Sequence, residues 1–470
     1  MMSEEQPKRR EIIPVFRPTR ISEAAAPETV HVRYRHNGRD VSYFRMLIGN
    51  GISRAIPRVP VVLNADGSPW AEASLYLVDR AKLRPSNTGS LASVAADLGA
   101  YRWWLDEFGF DWRNFDSSDR FSTPTYQYRT FLGLEIDAGR VSRNVARRRI
   151  SSLIGFYRHI MGNPRFGFVP IHAPWREAKV GLPSKDEKGF SRIIEVTTTD
   201  LKIPKAGTGT AWDVTIDDGG KLRPLPMVEQ VALFKVLKSL GNTEYWLMHL
   251  VSVLTGARIQ TVLTLRLQHF KDGPSSKGKL YKLRCGPGTG IDTKFSRDKV
   301  WLSIPGPLYE ALHTYAKSDR ARARQDKSVM GREDGNYLFL TQHGKPFYEG
   351  KDDLLKQGLG KKTQKVGQGV WDFINRQVLP EVRKTLPNFA YRFHDMRATF
   401  GLNWCDSIDK LDGGQYGYQW ALNQLRQRMW HKSLATTERY LNYRQNHELL
   451  EKAEEAYAMW MNGLVEGAEC

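Results

Sequence analysis

The 470-residue chain holds three cysteines, Cys285, Cys405 and Cys470, too few and too far apart for a disulfide framework. Neither they nor the 11 histidines fall into a metal-binding spacing, and no H-E-x-x-H occurs, so no metal is expected. Long apolar runs are missing too. The best candidate, YWLMHLVSVL (245–254), is half the length a membrane span needs and contains His249, so no membrane association is expected. The first residues, MMSEEQPKRREIIPVF, are charged and lack the apolar core of a secretory leader. A soluble protein in a reducing, cytoplasmic setting is the expectation. There is no G-x-S-x-G and no suitably framed pair of carboxylates. The glycine-rich CGPGTGID (285–292) lacks the Lys-Ser/Thr of a phosphate loop and reads as a β-turn.

What the chain has in excess is positive charge. Lys and Arg number 70 against 51 acids, a formal net charge of +19. Such an excess suits a polyanion, because neutralising phosphates releases condensed counterions. Charge alone does not separate this from a basic protein with no such partner. Hydrophobic residues at 41% and 13 tryptophans are enough for real cores, and the length suggests two or three domains.

Residues 1–85 mix strand-like runs (HVRYRH, RVPVVLNADGSPW, ASLYLV) with Pro, Gly and Asn, an irregular, β-containing extension. Apolar residues at 91, 94, 95, 98, 101, 105 and 108 predict a helix over 90–109. Two more are expected at 123–137 and 142–162, the last with Ser142 as N-cap, making 86–165 a helical module. Residues 166–225 read as a linker or inserted flap, rich in Pro, Gly, Lys and Asp. A domain over 226–448 should be mostly helical, with strand-like KLYKLRCG, TKFSRDKVWLSIP and NYLFLTQHGKPFY. The tail 449–470 carries Leu450, Ala453, Ala456 and Tyr457 on one stripe. The fold class is therefore mainly α with a small antiparallel sheet (α+β).

Four segments could carry chemistry. In 140–161 Arg143, Arg147, Arg148 and Arg149 recur on a helix with no acid among them, a face suited to DNA; a solvated charged face is the competing reading. In LTGARIQTVL (254–263) Arg258 opens an apolar helix just after a Thr-Gly break. A guanidinium there needs a phosphate or a structural ion pair. FHDMRATF (393–400) puts His394 and Arg397 three apart, one proton handler beside one charged donor. MWHKSLATTERYLNY (429–443) places His431 nine residues before Tyr440. A phenol, with its pKa near 10, attacks a phosphate only where cations lower the barrier; otherwise Tyr440 packs a core.

The order of these boxes resembles the tyrosine recombinase (phage integrase) family: TGAR, then TKFSRDK, then HDMR, then WHKSLATTERY. The resemblance spans roughly 86–165 and 225–450. It implies a helical core-binding domain, a catalytic domain and the following roles. Tyr440 forms a 3′-phosphotyrosine and releases a 5′-hydroxyl. Arg258 and Arg397 hold the non-bridging oxygens, and His431 steadies the phosphate. His394 helps accept the tyrosine proton, and Lys294 is the general acid, with Lys282 and Lys299 as alternatives on neighbouring strand segments. No cofactor, metal or ATP is implied. The implied partner is double-stranded DNA, bound as a homotetramer on two DNA sites. Accessory DNA-bending or directionality proteins, and a bacterial host in whose cytoplasm the protein joins the nucleoid when on DNA, are implied as well. The implied activity is site-specific cutting and rejoining for integration or excision of a mobile element. Alternatives are a type IB topoisomerase-like or telomere-resolving strand transferase, and a non-catalytic DNA-binding regulator. Two departures stand out. Thr261 occupies the place of an acid three after the first arginine, and Trp430 that of a glycine before His431.

Overall fold

The computed structural model describes residues 8–17, 20–22, 29–36, 39–46, 55–83, 89–185, 191–204, 215–218, 220–274, 280–294, 299–354, 364–412 and 418–465. The chain divides into two compact units. One comprises Met1–Leu182, Glu195–Gly207 and Lys351–Gln364, the other Pro183–Ile194, Thr208–Gly350 and Lys365–Cys470.

In the first unit β1 (Arg10–Phe16) pairs antiparallel with a later strand, Ile56–Val62, whose residues are all buried. Between them in sequence lies an antiparallel sheet of Arg20–Ser22, Arg39–Met46 and Thr29–His36, with Arg39–Met46 central. Four helices follow: α1 (Ala71–Leu83), α2 (Gly89–Phe108), α3 (Pro124–Asp137) and α4 (Arg143–Met161). The expected helices at 90–109, 123–137 and 142–162 thus lie at those places, and the Ser142 side chain caps α4 by accepting from the Val145 N–H. ASLYLV is helical, not strand. Read alone it alternates, but within α1 the buried Ala73, Leu77 and Ala81 fall four apart, a helical face. Aromatic rings fill this core. Tyr101 and Tyr157 share a hydrogen bond of 2.9 Å, and Tyr157 donates to the Trp112 carbonyl at 2.7 Å.

The second unit is built on α5 (Met227–Ser239), α6 (Thr243–Thr255) and α7 (Ile259–Leu263). Beside them stand a hairpin of Leu280–Cys285 with Val300–Pro305 and the pair α8 (Gly306–Lys317) and α9 (Asp319–Gln325). Glu244, fully buried at the start of α6, accepts two bonds of 2.8 Å from Arg320 and one of 3.0 Å from Tyr315, tying α6 to α8 and α9. NYLFLTQHGKPFY forms no strand. Its pairing is reduced to isolated bridges, Arg266↔Tyr337, Leu340↔Pro346 and Tyr348↔Val366, and proline at 346 has no N–H to extend a ladder. Three further helices close this unit: Asp395–Asp412, Tyr418–Met429 and Leu434–Val465. The tail helix expected from 449 is the continuation of the last of these. A short hairpin, Ile216–Asp217 with Lys221–Leu222, lies within the stretch expected to be linker.

Candidate active site

Helix α6 ends because Gly256 takes a left-handed φ of +69°. A Cβ on that glycine would lie 2.6 Å from Cδ1 of Phe400, so only glycine lets this turn approach the helix Asp395–Asp412. The turn delivers Arg258 to the N-cap of α7, where it is buried. Arg397, in the first turn of Asp395–Asp412, is 1% exposed and binds three separate segments. Its Nη1 donates to the Gly256 carbonyl and its Nη2 to the Met429 carbonyl, both at 2.5 Å, and its Nε donates to Oδ2 of Asp218 at 2.6 Å.

Met429 ends its helix, and Trp430 turns the chain with φ +54°, a conformation that side chains rarely adopt. This is the turn where a glycine was expected. The indole Nε1 is fixed by donating to the Trp301 carbonyl at 3.0 Å. His431 follows, its Nδ1 2.9 Å from the Thr437 hydroxyl. Two turns into Leu434–Val465 comes Tyr440, wholly buried against the Met429 and Phe400 cluster.

Arg258, Arg397, His431 and Tyr440 are therefore brought together, and they meet on one side chain. Asp218 Oδ1 accepts from Arg258 Nη2 at 3.1 Å. Its Oδ2 accepts from Arg397, from His431 Nε2 at 3.2 Å and from the Tyr440 hydroxyl at 3.1 Å. Burial alone would raise the Asp218 pKa. The His431 hydrogen bond and the Arg397, His431 and Arg258 charges outweigh it and hold the carboxyl well below the usual range. Tyr440 is pushed well above the ordinary phenol value, first by burial and then by the Asp218 charge. Burial and the Arg397 charge push Arg258 down to about 10. Burial also lowers the His431 imidazole, whose Nε2 faces Asp218 and whose Nδ1 faces the Thr437 hydroxyl.

His394 is half-buried just before Arg397. Burial, together with the Arg397 and Arg258 charges, pushes its pKa down to about 4, and the Lys294 charge adds to this. Lys294 is thus close enough for its field to reach His394. It is exposed, and it sits on the loop between the hairpin strands rather than on a strand; residues 295–298 of TKFSRDK lie outside the described residues. Thr261 and Thr264 explain that loop. The Thr261 hydroxyl donates to the Asp292 carbonyl and the Asp292 N–H to the Thr264 hydroxyl, both at 2.8 Å, holding the chain two residues before Lys294. Lys282 and Lys299 line a groove of about 600 Å³ together with His431, Trp301, Trp430, Arg428 and Lys432.

Helix α4 presents its arginines unequally. Arg148 clasps the buried Asp97 with contacts of 2.9, 3.0 and 3.2 Å. Arg147 donates to the Ile203 carbonyl at 3.0 Å. Arg149 lies half-buried, its charge lowering the pKa of Tyr128, which burial more than raises again. Arg143 is exposed at the N-terminus.

Sequence reasoning missed Asp218. It stands in TIDDGGK, inside the 166–225 stretch that reads as a linker or inserted flap. One signal was available. With Thr261 in place of an acid, two buried arginines needed a counter-charge from another segment.

No family model and no curated protein matches the chain. Solved structures are similar at a distance. The Tn1549 transposon integrase (residues 82–397, with phenylalanine for its Tyr at 379) in complex with transposon right-end DNA shares 12% identity at a TM-score of 0.44. That match covers 78% of this chain and 94% of the other. A lambda integrase (residues 75–356) dimer bound to a COC′ core site shares 13% identity at a TM-score of 0.42, again over 78% and 94%.

Proposed function

We propose that this protein is a site-specific tyrosine recombinase that cuts and rejoins double-stranded DNA through a 3′-phosphotyrosine, serving the integration or excision of a mobile element. One observation carries this reading. Two guanidiniums, an imidazole and a phenol from four separate segments share a single small anion, the Asp218 carboxylate. A phosphodiester offers the same donors two non-bridging oxygens at similar spacing, with a phosphorus for the phenol oxygen to attack.

In the proposed reaction the Tyr440 oxygen forms a bond to phosphorus as the bond to the 5′-oxygen breaks. Arg258, Arg397 and His431 donate to the non-bridging oxygens and stabilise charge as it builds in the transition state. His394, neutral at physiological pH because its pKa lies near 4, can accept the phenol proton. Lys294 donates a proton to the departing 5′-oxygen, which leaves as the 5′-hydroxyl, with Lys282 and Lys299 as alternatives. The new phosphodiester keeps the energy of the old one, so reversal with a different 5′-hydroxyl completes strand exchange without ATP. The helix carrying Tyr440 continues to Val465 and exposes Tyr457, Met459 and Met461, apolar surface through which protomers of a homotetramer on two DNA sites would touch.

The test is covalent trapping. Nicked duplexes tiled across the DNA flanking the gene are incubated with the protein and resolved under denaturing conditions. Wild type should form a protein–DNA adduct that Tyr440→Phe does not. Binding by both proteins with an adduct from neither would defeat the proposal. Adducts without two-site joining would favour a topoisomerase-like enzyme.

A further inference from the structure

The four donors are shut away from solvent. The side chain of Arg258 is 8% exposed, those of Arg397 and His431 1% each, Asp218 4%, and Tyr440 is wholly buried. A DNA phosphate cannot reach them while Asp218 is in place, and each of the four already gives one hydrogen bond to that carboxylate. The Tyr440 proton is held by Oδ2.

The element that carries Asp218 is the smallest near the site. Its hairpin has only two paired positions, Ile216↔Leu222 and Asp217↔Lys221, and the turn is closed by the Asp218 N–H donating to the Gly220 carbonyl at 3.1 Å. Ile216 and Leu222 seat the hairpin in the buried cluster of Phe400, Met429 and Tyr440, whereas the cationic residues stand on or between longer helices. Arg439, next to Tyr440, fastens the hairpin from outside by donating to the Asp217 carbonyl at 2.6 Å.

Resting on the recombinase reading above, we propose that Asp218 is an internal plug. It occupies the position of the scissile phosphate, and DNA engages the site only when Asp218 and its strand Ile216–Asp217 withdraw. Two buried arginines without an anion would be costly, so the plug also keeps the DNA-free protein folded. Binding of DNA then exchanges one anion for another. Because an apparent affinity is reduced by the fraction of molecules competent to bind, the plug sets a threshold that only a well-docked duplex overcomes.

Asp218→Asn and Asp218→Ala test this, with two separate readouts. The first uses inorganic phosphate as probe and needs no DNA site. Both variants should melt below wild type, and millimolar phosphate should raise their melting temperatures while leaving that of wild type nearly unmoved. Variants that melt lower and gain no more from phosphate than wild type does would overturn the plug, whatever the DNA chemistry. The second is the rate of covalent trapping on a nicked duplex. The variants should trap faster than wild type by about tenfold, the factor expected if a tenth of wild-type molecules are open. Slower trapping with intact phosphate binding would show that Asp218 is a positioning residue and sink the plug. Phosphate rescue with no adduct from any variant or from wild type would leave the anion exchange standing and remove the recombinase reading instead.

Discussion

Gly401 lies directly beneath the ring of Tyr440: a Cβ built on it would stand 2.5 Å from both Cδ1 and Cε1, with Met429 Sδ at 3.3 Å closing the other side. The phenol is thus located by the absence of a side chain one helix away. Gly401→Ala adds a favourable helix residue, worth about 1 kcal/mol, against overpacking of about 1–3 kcal/mol. The melting temperature should fall only slightly. Displacing the ring by an ångström should nevertheless cost about 100-fold in covalent trapping. A Gly401→Ala protein that traps at the wild-type rate would show that Tyr440 is not held by this contact.

Arg258 contributes a planar fork where lysine would supply one point charge. Arg258→Lys should retain DNA binding in a mobility-shift assay and lose about 10²–10³-fold in trapping rate, the usual effect of removing one donor to a developing oxyanion. Strong residual trapping would take Arg258 out of the reacting centre.

Part of the helical scaffold is legible in the sequence: apolar spacing marks 90–109, and Ser142 marks the start of the helix Arg143–Met161. The grouping of Arg258, Arg397, His431 and Tyr440 is legible only through the order of their boxes, since nothing local requires residues so far apart to meet. Asp218 is not legible. Its hairpin has two residues per strand, too short for any period, and its role depends on cations contributed by other segments. The strand expectations fared unevenly for a similar reason. KLYKLRCG has a partner strand and becomes one, whereas NYLFLTQHGKPFY meets Pro346 and does not.

His249 makes the pH dependence of stability specific. It is wholly buried, with Nδ1 2.6 Å from the Tyr245 carbonyl and Nε2 3.1 Å from the Tyr391 hydroxyl. Burial pushes its pKa from the ordinary 6.5 down to about 4. Between those values the unfolded chain binds the proton and the native state does not. Stability should therefore fall as pH drops from 6.5 towards 4, by on the order of 3 kcal/mol from this one residue, and level off below. Denaturant melts of wild type and His249→Gln at pH 7 and pH 4.5 test it. The variant should lose less stability on acidification, and equal losses would assign the proton uptake to another group.

Trp430 holds a left-handed backbone, φ +54°, without being glycine. For an L-residue that conformation costs about 1–2 kcal/mol. The indole recovers part of this through its bond to the Trp301 carbonyl and its packing against the core. Comparing two truncations separates the contributions. Trp430→Ala and Trp430→Gly both remove the indole, but only glycine also releases the backbone. Trp430→Gly should thus be the more stable of the two by about 1 kcal/mol in denaturant unfolding, and both should fall below wild type. The same turn aims His431, so the glycine variant should also trap DNA faster than the alanine variant. If alanine were equal or better in stability, the turn would be unstrained and Trp430 would owe its place to the groove it lines.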